Sequence, residues 1–190
     1  MGASIGGIHA RRVPRQLPLH AKHPGPELRN ANYRIGLVSD THGLLRPEAL
    51  NFLEGCDCIV HGGDIGHPSI LTELAKLAPV TAVRGNVDAG AWAESLPESE
   101  YLQVGEVGVY VIHDLAHLDI DPQSAGVRVI VSGHSHKPLI QERNGVLYAN
   151  PGSAGPRRFK LPVTVGELIV TESTVSACIV ELTGPSRPSR

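Results

Sequence analysis

Five short stretches of this chain carry side chains able to bind divalent cations: Asp40-Thr41-His42, Gly62-Gly63-Asp64, Gly85-Asn86, His113 and Gly133-His134-Ser135-His136. Each has an ordinary explanation when taken alone. An Asp-x-His after a strand commonly caps a helix. Gly-Asp and Gly-Asn are everyday turn dipeptides, and a lone histidine is more often a satisfied, half-buried one. The ordered set is harder to dismiss, because carboxylate, amide and imidazole recur beside glycines that let the backbone turn sharply. Carboxylate and imidazole without thiolate suit Mn, Fe, Ni, Zn or Co. A carboxylate lying between two ions offers each an oxygen, and side chains at i and i+2 of a tight loop can serve one ion each.

Something must bring these loops together. Each follows a short apolar run that reads as a buried strand: 34–39 (RIGLVS), 58–61 (CIVH), 80–84 (VTAVR), 107–112 (VGVYVI) and 127–131 (VRVIV). Helices are expected over 47–54 and 68–77, each with a proline in its first turn. Strand alternating with helix is the pattern of βαβ units. The second half reads as antiparallel: 103–104 turns into 107–112 at Gly105-Glu106, 138–143 into 146–149 at Asn144-Gly145, and 163–170 pairs with 175–182. The expectation is one α/β domain, two packed sheets with helices outside, whose ligands gather where strands end.

The order Asp-x-His, Gly-Asp, Gly-Asn, His, Gly-His-x-His resembles the calcineurin-like metallophosphoesterases. The stretch Asn150-Pro151-Gly152-Ser153, followed by Pro156-Arg157-Arg158, resembles the small bacterial YfcE-type phosphodiesterase branch. The resemblance runs over about 34–181. It implies a four-layer αββα sandwich and two divalent ions, manganese foremost. One ion would be held by Asp40, His42, Asp64 and His136, the other by Asp64, Asn86, His113 and His134, with Asp64 bridging. A hydroxide between the ions would be the nucleophile. Asn86 would serve as ligand and phosphate contact, and Arg157 and Arg158 are candidate substrate contacts. The implied activity is phosphoester hydrolysis, with diesters favoured over monoesters. The same fold also serves as a scaffold subunit of the retromer coat, as phosphomonoesterases and as protein phosphatases, and these are the alternatives.

Two departures bear on mechanism. Larger relatives carry a histidine after the asparagine, proposed there as general acid; here Val87 and then Asp88 follow Asn86. Leaving-group protonation is thus unassigned, with Asp88 and His42 as candidates. His113 is followed by Asp114 where glycine is usual. His117, four residues beyond His113, could approach the pocket but reads better as a surface histidine, and His61 and His67 read as structural.

The remaining features set limits. At 190 residues there is room for one well-packed domain. A formal charge of -2 argues for no nucleic acid or membrane surface as partner, and leaves a small phosphate ester, with homo-oligomerisation open. No apolar run approaches the roughly 18 residues that cross a bilayer, so a cytoplasmic protein is expected. Cys56, Cys58 and Cys178, odd in number, do not make a disulfide framework. Residues 1–31 are basic and broken by Pro14, Pro18, Pro24 and Pro26, and are expected to be a disordered tail. The domain is expected over 32–183, with a frayed end at 184–190.

Overall fold

The computed structural model describes residues 32–182, so the tails expected at 1–31 and 184–190 lie outside the described residues. Strands β1 (Asn32–Val38), β2 (Cys58–His61) and β3 (Val80–Ala82) are parallel, with Ile35 opposite Cys58 and Ile59 opposite Val80. Parallel neighbours need crossovers, and helices α1 (Pro47–Leu53) and α2 (Pro68–Leu74) supply them. α1 buries Ala49 and Leu53; α2 buries Ile70 and Leu74 and is capped by His67, whose Nδ1 accepts from Ser69 N at 3.2 Å. α2 stops short of the expected Leu77. The chain tightens there, with Leu77 N donating to Leu74 O at 2.9 Å, and Pro79 prevents a helical continuation.

The last two strands, β9 (Thr164–Thr171) and β10 (Thr174–Glu181), return antiparallel beside β1, giving the order β10-β9-β1-β2-β3. The second sheet has the order β4-β5-β6-β8-β7, from β4 (Ser99–Val104), β5 (Val107–Ile112), β6 (Val127–Val131), β7 (Leu139–Arg143) and β8 (Val146–Asn150). Its central strands β5, β6 and β8 are parallel. β4 begins at Ser99, ahead of the expected Gln103; its half-buried polar start hides it in the sequence.

The sheets pack face to face over Ile35, Leu37, Val60 and Leu168 from one side and Val109, Val111, Val129 and Val131 from the other. Side chains alternate along a strand, so Val38 and Ile59 face α1 and α2, while Tyr110, Ile112 and Ile130 face outward from the second sheet. That outer face is covered by a 3-10 turn (Leu115–His117) and by Leu118 and Ile120, not by an α-helix. The β5–β6 connection is interrupted by Pro122 and Gly126 before a helix can run, so the fourth layer is thin. A short α3 (Ala91–Glu94) leads into β4. Among the described residues no helix is long and apolar enough to cross a membrane. All three cysteines are free.

Candidate metal centre

All the ligand-bearing loops leave the C-terminal ends of parallel strands: Asp40 and His42 after β1, Asp64 after β2, Asn86 after β3, His113 after β5, His134 and His136 after β6. The two sheets therefore offer one rim, and the loops are laced across it. Asp40 N donates to Gly63 O at 3.0 Å and His42 N to Asp64 O at 2.9 Å. Gly133 N donates to His113 O at 3.0 Å. Two glycines allow this closeness. A Cβ on Gly85 would overlap the Asp64 backbone nitrogen and Oδ1, and one on Gly133 would overlap Ser39 Oγ.

The backbone is held in unusual shape at the functional side chains themselves. Of eight non-glycine residues with positive φ among the described residues, five are Asp40 (53°), His42 (45°), Asp64 (53°), His134 (64°) and His136 (56°). Such conformations cost of order 1 kcal/mol or more each and persist where the surrounding structure imposes them.

Asp40, His42, Asp64 and His136 bring one ligand atom each within 4.8 Å of all the others. His136 Nε2 lies 3.3 Å from both His42 Nε2 and Asp40 Oδ1, and His42 Nε2 lies 3.8 Å from Asp64 Oδ2. The other oxygen of Asp64 faces a second group: Oδ1 is 3.3 Å from His113 Nε2. Asn86 Oδ1 is 3.1 Å from His113 Nε2 and 3.0 Å from His134 Nδ1. The seven expected ligands thus converge as two groups with Asp64 between them.

The donor chemistry fits cations. His113 Nδ1 lies 2.7 Å from the Gly62 carbonyl, which can only accept, so Nδ1 carries the hydrogen. Nε2 then faces two oxygens, those of Asn86 and Asp64, an arrangement that a proton or a metal ion between them would stabilise. Donor atoms some 3–3.5 Å apart are spaced as around one ion with bonds of about 2.1 Å. Asp40 Oδ1 is fully buried and has no hydrogen-bond partner among the described residues; at 3.3 Å the His136 ring is near but not aligned to donate.

Protonation follows. Burial pushes the Asp40 carboxyl up to about 6, against the hydrogen bond from Ser39. Burial lowers His136 to about 4, helped by Arg158 and His42, and lowers His42 as well. Burial works against charge on Asp64 too, yet hydrogen bonds from His113 and Val87 N outweigh it and bring Asp64 down to about 2. For His113, burial opposes charge, but Asp64 and the Gly62 carbonyl raise its pKa overall. Metal binding needs ionised carboxylates and neutral imidazoles. His42, His136 and Asp64 stand ready, and Asp40 is the group for which a nearby cation would matter most.

Two expected contacts are placed differently. Arg158 Nη2 reaches His42 Nε2 at 3.3 Å, at the rim of the centre, but Arg157 turns away to Glu181, at 3.7 Å. Asp88 has no free oxygen to act as acid: Oδ1 accepts from Gly66 N and Oδ2 from Gly85 N, both at 2.8 Å. Its carboxylate ties the Asn86 loop to the loop after β2.

Supporting residues come from Ser39, from His61 and from the Asn150-Pro151-Gly152-Ser153 stretch that carries part of the family resemblance. Ser39 Oγ donates to Asp40 Oδ2 at 2.6 Å and Ser153 Oγ to the Asp40 carbonyl at 2.9 Å. Asn150 Nδ2 donates to Gly133 O at 2.6 Å and to Ser135 Oγ at 3.1 Å, fastening the His134–His136 loop. His61 is fully buried; Gly63 N donates to its Nδ1 at 3.2 Å, so Nε2–H donates to Thr41 Oγ1 at 3.0 Å.

A double-sheet sandwich with an Asp/His cluster at its strand ends defines a metal-dependent hydrolase centre. Residues 33–173 match the calcineurin-like phosphoesterase superfamily domain, and the chain belongs to that family. A protein of Methanothermobacter thermautotrophicus named as a probable metallophosphoesterase is 37% identical over 140 residues, 67% of this chain and 81% of that one. An archaeal phosphodiesterase of known structure superposes with a TM-score of 0.65 at 22% identity, over 77% of this chain and 99% of that one. Vacuolar protein sorting 29 from Cryptosporidium parvum does so with a TM-score of 0.64 at 18% identity, over 80% and 99%. These two structures share the fold. By family and by its buried Asp/His cluster the chain is a metal-dependent phosphoesterase.

Proposed function

We propose that this protein hydrolyses phosphodiesters with two divalent ions, manganese foremost, and that Asp64 bridges them. The observation that carries the reading is the split of the Asp64 carboxylate, one oxygen toward His42 and the other toward His113. Asp40, His42 and His136 complete one site; Asn86, His113 and His134 complete the other. When bound, such a pair lowers the pKa of a water and offsets charge on the phosphoryl oxygens.

The chain's own residues do the rest. Ser39 holds Asp40 by one oxygen, leaving the buried Oδ1 free for an ion. Arg158, at the rim beside His42, is placed to contact a phosphate oxygen. The Asn86 amide orients against His113 and His134 and reaches the same phosphate. The scaffold alternative is weaker, because a scaffold needs no complete ligand set built on strained backbone.

The test is hydrolysis of bis(4-nitrophenyl) phosphate after chelation, with Mn, Ni, Zn or Mg added back. Turnover restored by a transition metal and abolished in His134→Ala is the expected result. Two bound ions with no turnover on any diester would return the protein to the scaffold reading.

A further inference from the structure

The leaving oxygen of an unactivated ester needs a proton, and the position after Asn86 cannot give one: Val87 is 46% exposed and apolar. A cleft of about 1160 Å³ opens beside Asn86, His113 and His134 and runs between α3 and the 114–120 segment. It is large enough to enclose a whole small-molecule group, since such sites run to roughly 300–1,000 Å³.

Its ionisable lining narrows the choice of donor. Asp88 has both oxygens taken by backbone amides. Asp114 accepts from Ala116 N at 3.0 Å and turns its other oxygen toward His134 Nε2, 3.7 Å away. Glu98 accepts from Arg84 at 2.6 Å. Tyr110 is buried in the outer apolar cluster, so Glu94, Asp119 and His117 remain. Of these side chains, histidine most often serves as the positioned general acid. His117 is also anchored: it ends the 3-10 turn, and its N–H donates to Asp114 O at 3.1 Å, four residues from His113. His117 is exposed and lines this cleft.

We propose that the cleft receives the leaving alcohol of the diester and that His117 protonates it. The inference rests on the phosphodiesterase reading above. The attacking water oxygen bonds to phosphorus, and the bond from phosphorus to the leaving oxygen breaks with its electron pair on that oxygen. The imidazolium proton completes the alcohol, and the proton given up by the water returns through solvent to the imidazole. The substrates favoured are diesters of unactivated alcohols, which depend on such a donor.

The experiment compares bis(4-nitrophenyl) phosphate with diphenyl phosphate on the metal-loaded protein, in wild type, His117→Ala and His117→Gln. Nitrophenolate leaves readily as an anion, whereas phenol, with a pKa of about 10 as in tyrosine, needs the proton. Loss of a general acid typically costs about 10²-fold or more. Both variants should therefore raise the nitrophenyl-to-phenyl ratio of kcat/KM by about that factor, with metal content unchanged, and added imidazole should restore diphenyl phosphate hydrolysis by His117→Ala. A ratio that does not move, with wild type active on both esters, overturns this inference alone. A wild type inactive on both overturns it together with the phosphodiesterase reading.

Discussion

Asp64 carries more of this centre than any other side chain. Its two oxygens face different ligand groups, His113 and Val87 N hold one of them, and the residue itself sits at φ 53°. Asp64→Asn keeps the volume but removes the charge both groups share. It is expected to abolish binding of two ions per chain and to cut turnover by at least about 10³-fold, the scale of losing an essential electrostatic group; metal analysis after gel filtration checks it, and normal metal content would remove the bridging role. Arg158 belongs to the same scale but acts on substrate alone. A charge-assisted hydrogen bond is worth about 1.5–3 kcal/mol, so Arg158→Ala should raise KM by about 10-fold or more while metal content stays normal. Arg157→Ala, at the Glu181 contact, should leave KM unchanged. The sequence already showed which residues to examine, because Asp, His and Asn recurred beside glycine. It could not separate Arg157 from Arg158, whose side chains diverge from adjacent positions.

At the scale of elements, the site depends on how closely loops from different strands approach. Gly133 lets the loop after β6 lie against Ser39 and Asp40 of the loop after β1. Gly133→Ala therefore drives a methyl into the pair that holds Asp40. Overpacking of this kind typically costs about 1–3 kcal/mol, and here the shift falls on a ligand. The expected outcome is a lower urea midpoint together with weaker metal binding, whereas Gly126→Ala, with nothing within 4 Å of an added Cβ, should cost only the strain of its φ of 71° and leave metal affinity intact. Equal metal affinity in both variants would show that the loop contact does not matter. The strands that carry these loops were legible as apolar runs, and so were the hairpins at Asn144-Gly145 and Gly105-Glu106. The insertion of β9 between β10 and β1 was not, because nothing local to residues 164–171 says which sheet edge they join. Nor was the thin outer cover of the second sheet. Ser39 escaped for a similar reason, since a serine that fastens a neighbouring carboxylate looks like any other strand-end residue, whereas Asn150 and Ser153 stood out through the family resemblance and only their partners were illegible.

At the scale of the whole molecule, stability and metal binding are coupled through the same buried groups, and pH exposes the coupling. Consider the protein with metal chelated. His61 has an ordinary value of 6.5 when unfolded, and burial lowers it to about 4 in the folded protein. The unfolded chain takes up this proton first as the pH falls, so stability present above 6.5 is lost on the way down to about 4. At 1.36 kcal/mol per unit, His61 accounts for about 3 kcal/mol. His136, also lowered to about 4, acts in the same sense over the same window, and so does His42. Asp40 acts oppositely. Its folded value of about 6 lies above the unfolded 3.8, so protonation relieves a buried charge and stabilises the fold as the pH falls through that range. Three imidazoles outweigh one carboxyl, and the chelated protein should lose stability steadily from 6.5 to 4. His113 is raised instead, so its effect falls above 6.5, outside this window. Restoring metal adds stability, because ions bind the folded chain and not the unfolded one; at a hundred times Kd the gain is about 2.7 kcal/mol per site. That gain should itself shrink as the pH falls, because protons compete for Asp40, His42 and His136. Urea midpoints with chelator and with manganese, followed across the window, should therefore diverge at neutral pH and converge in acid. Curves that stay parallel would mean that the ions bind away from these groups.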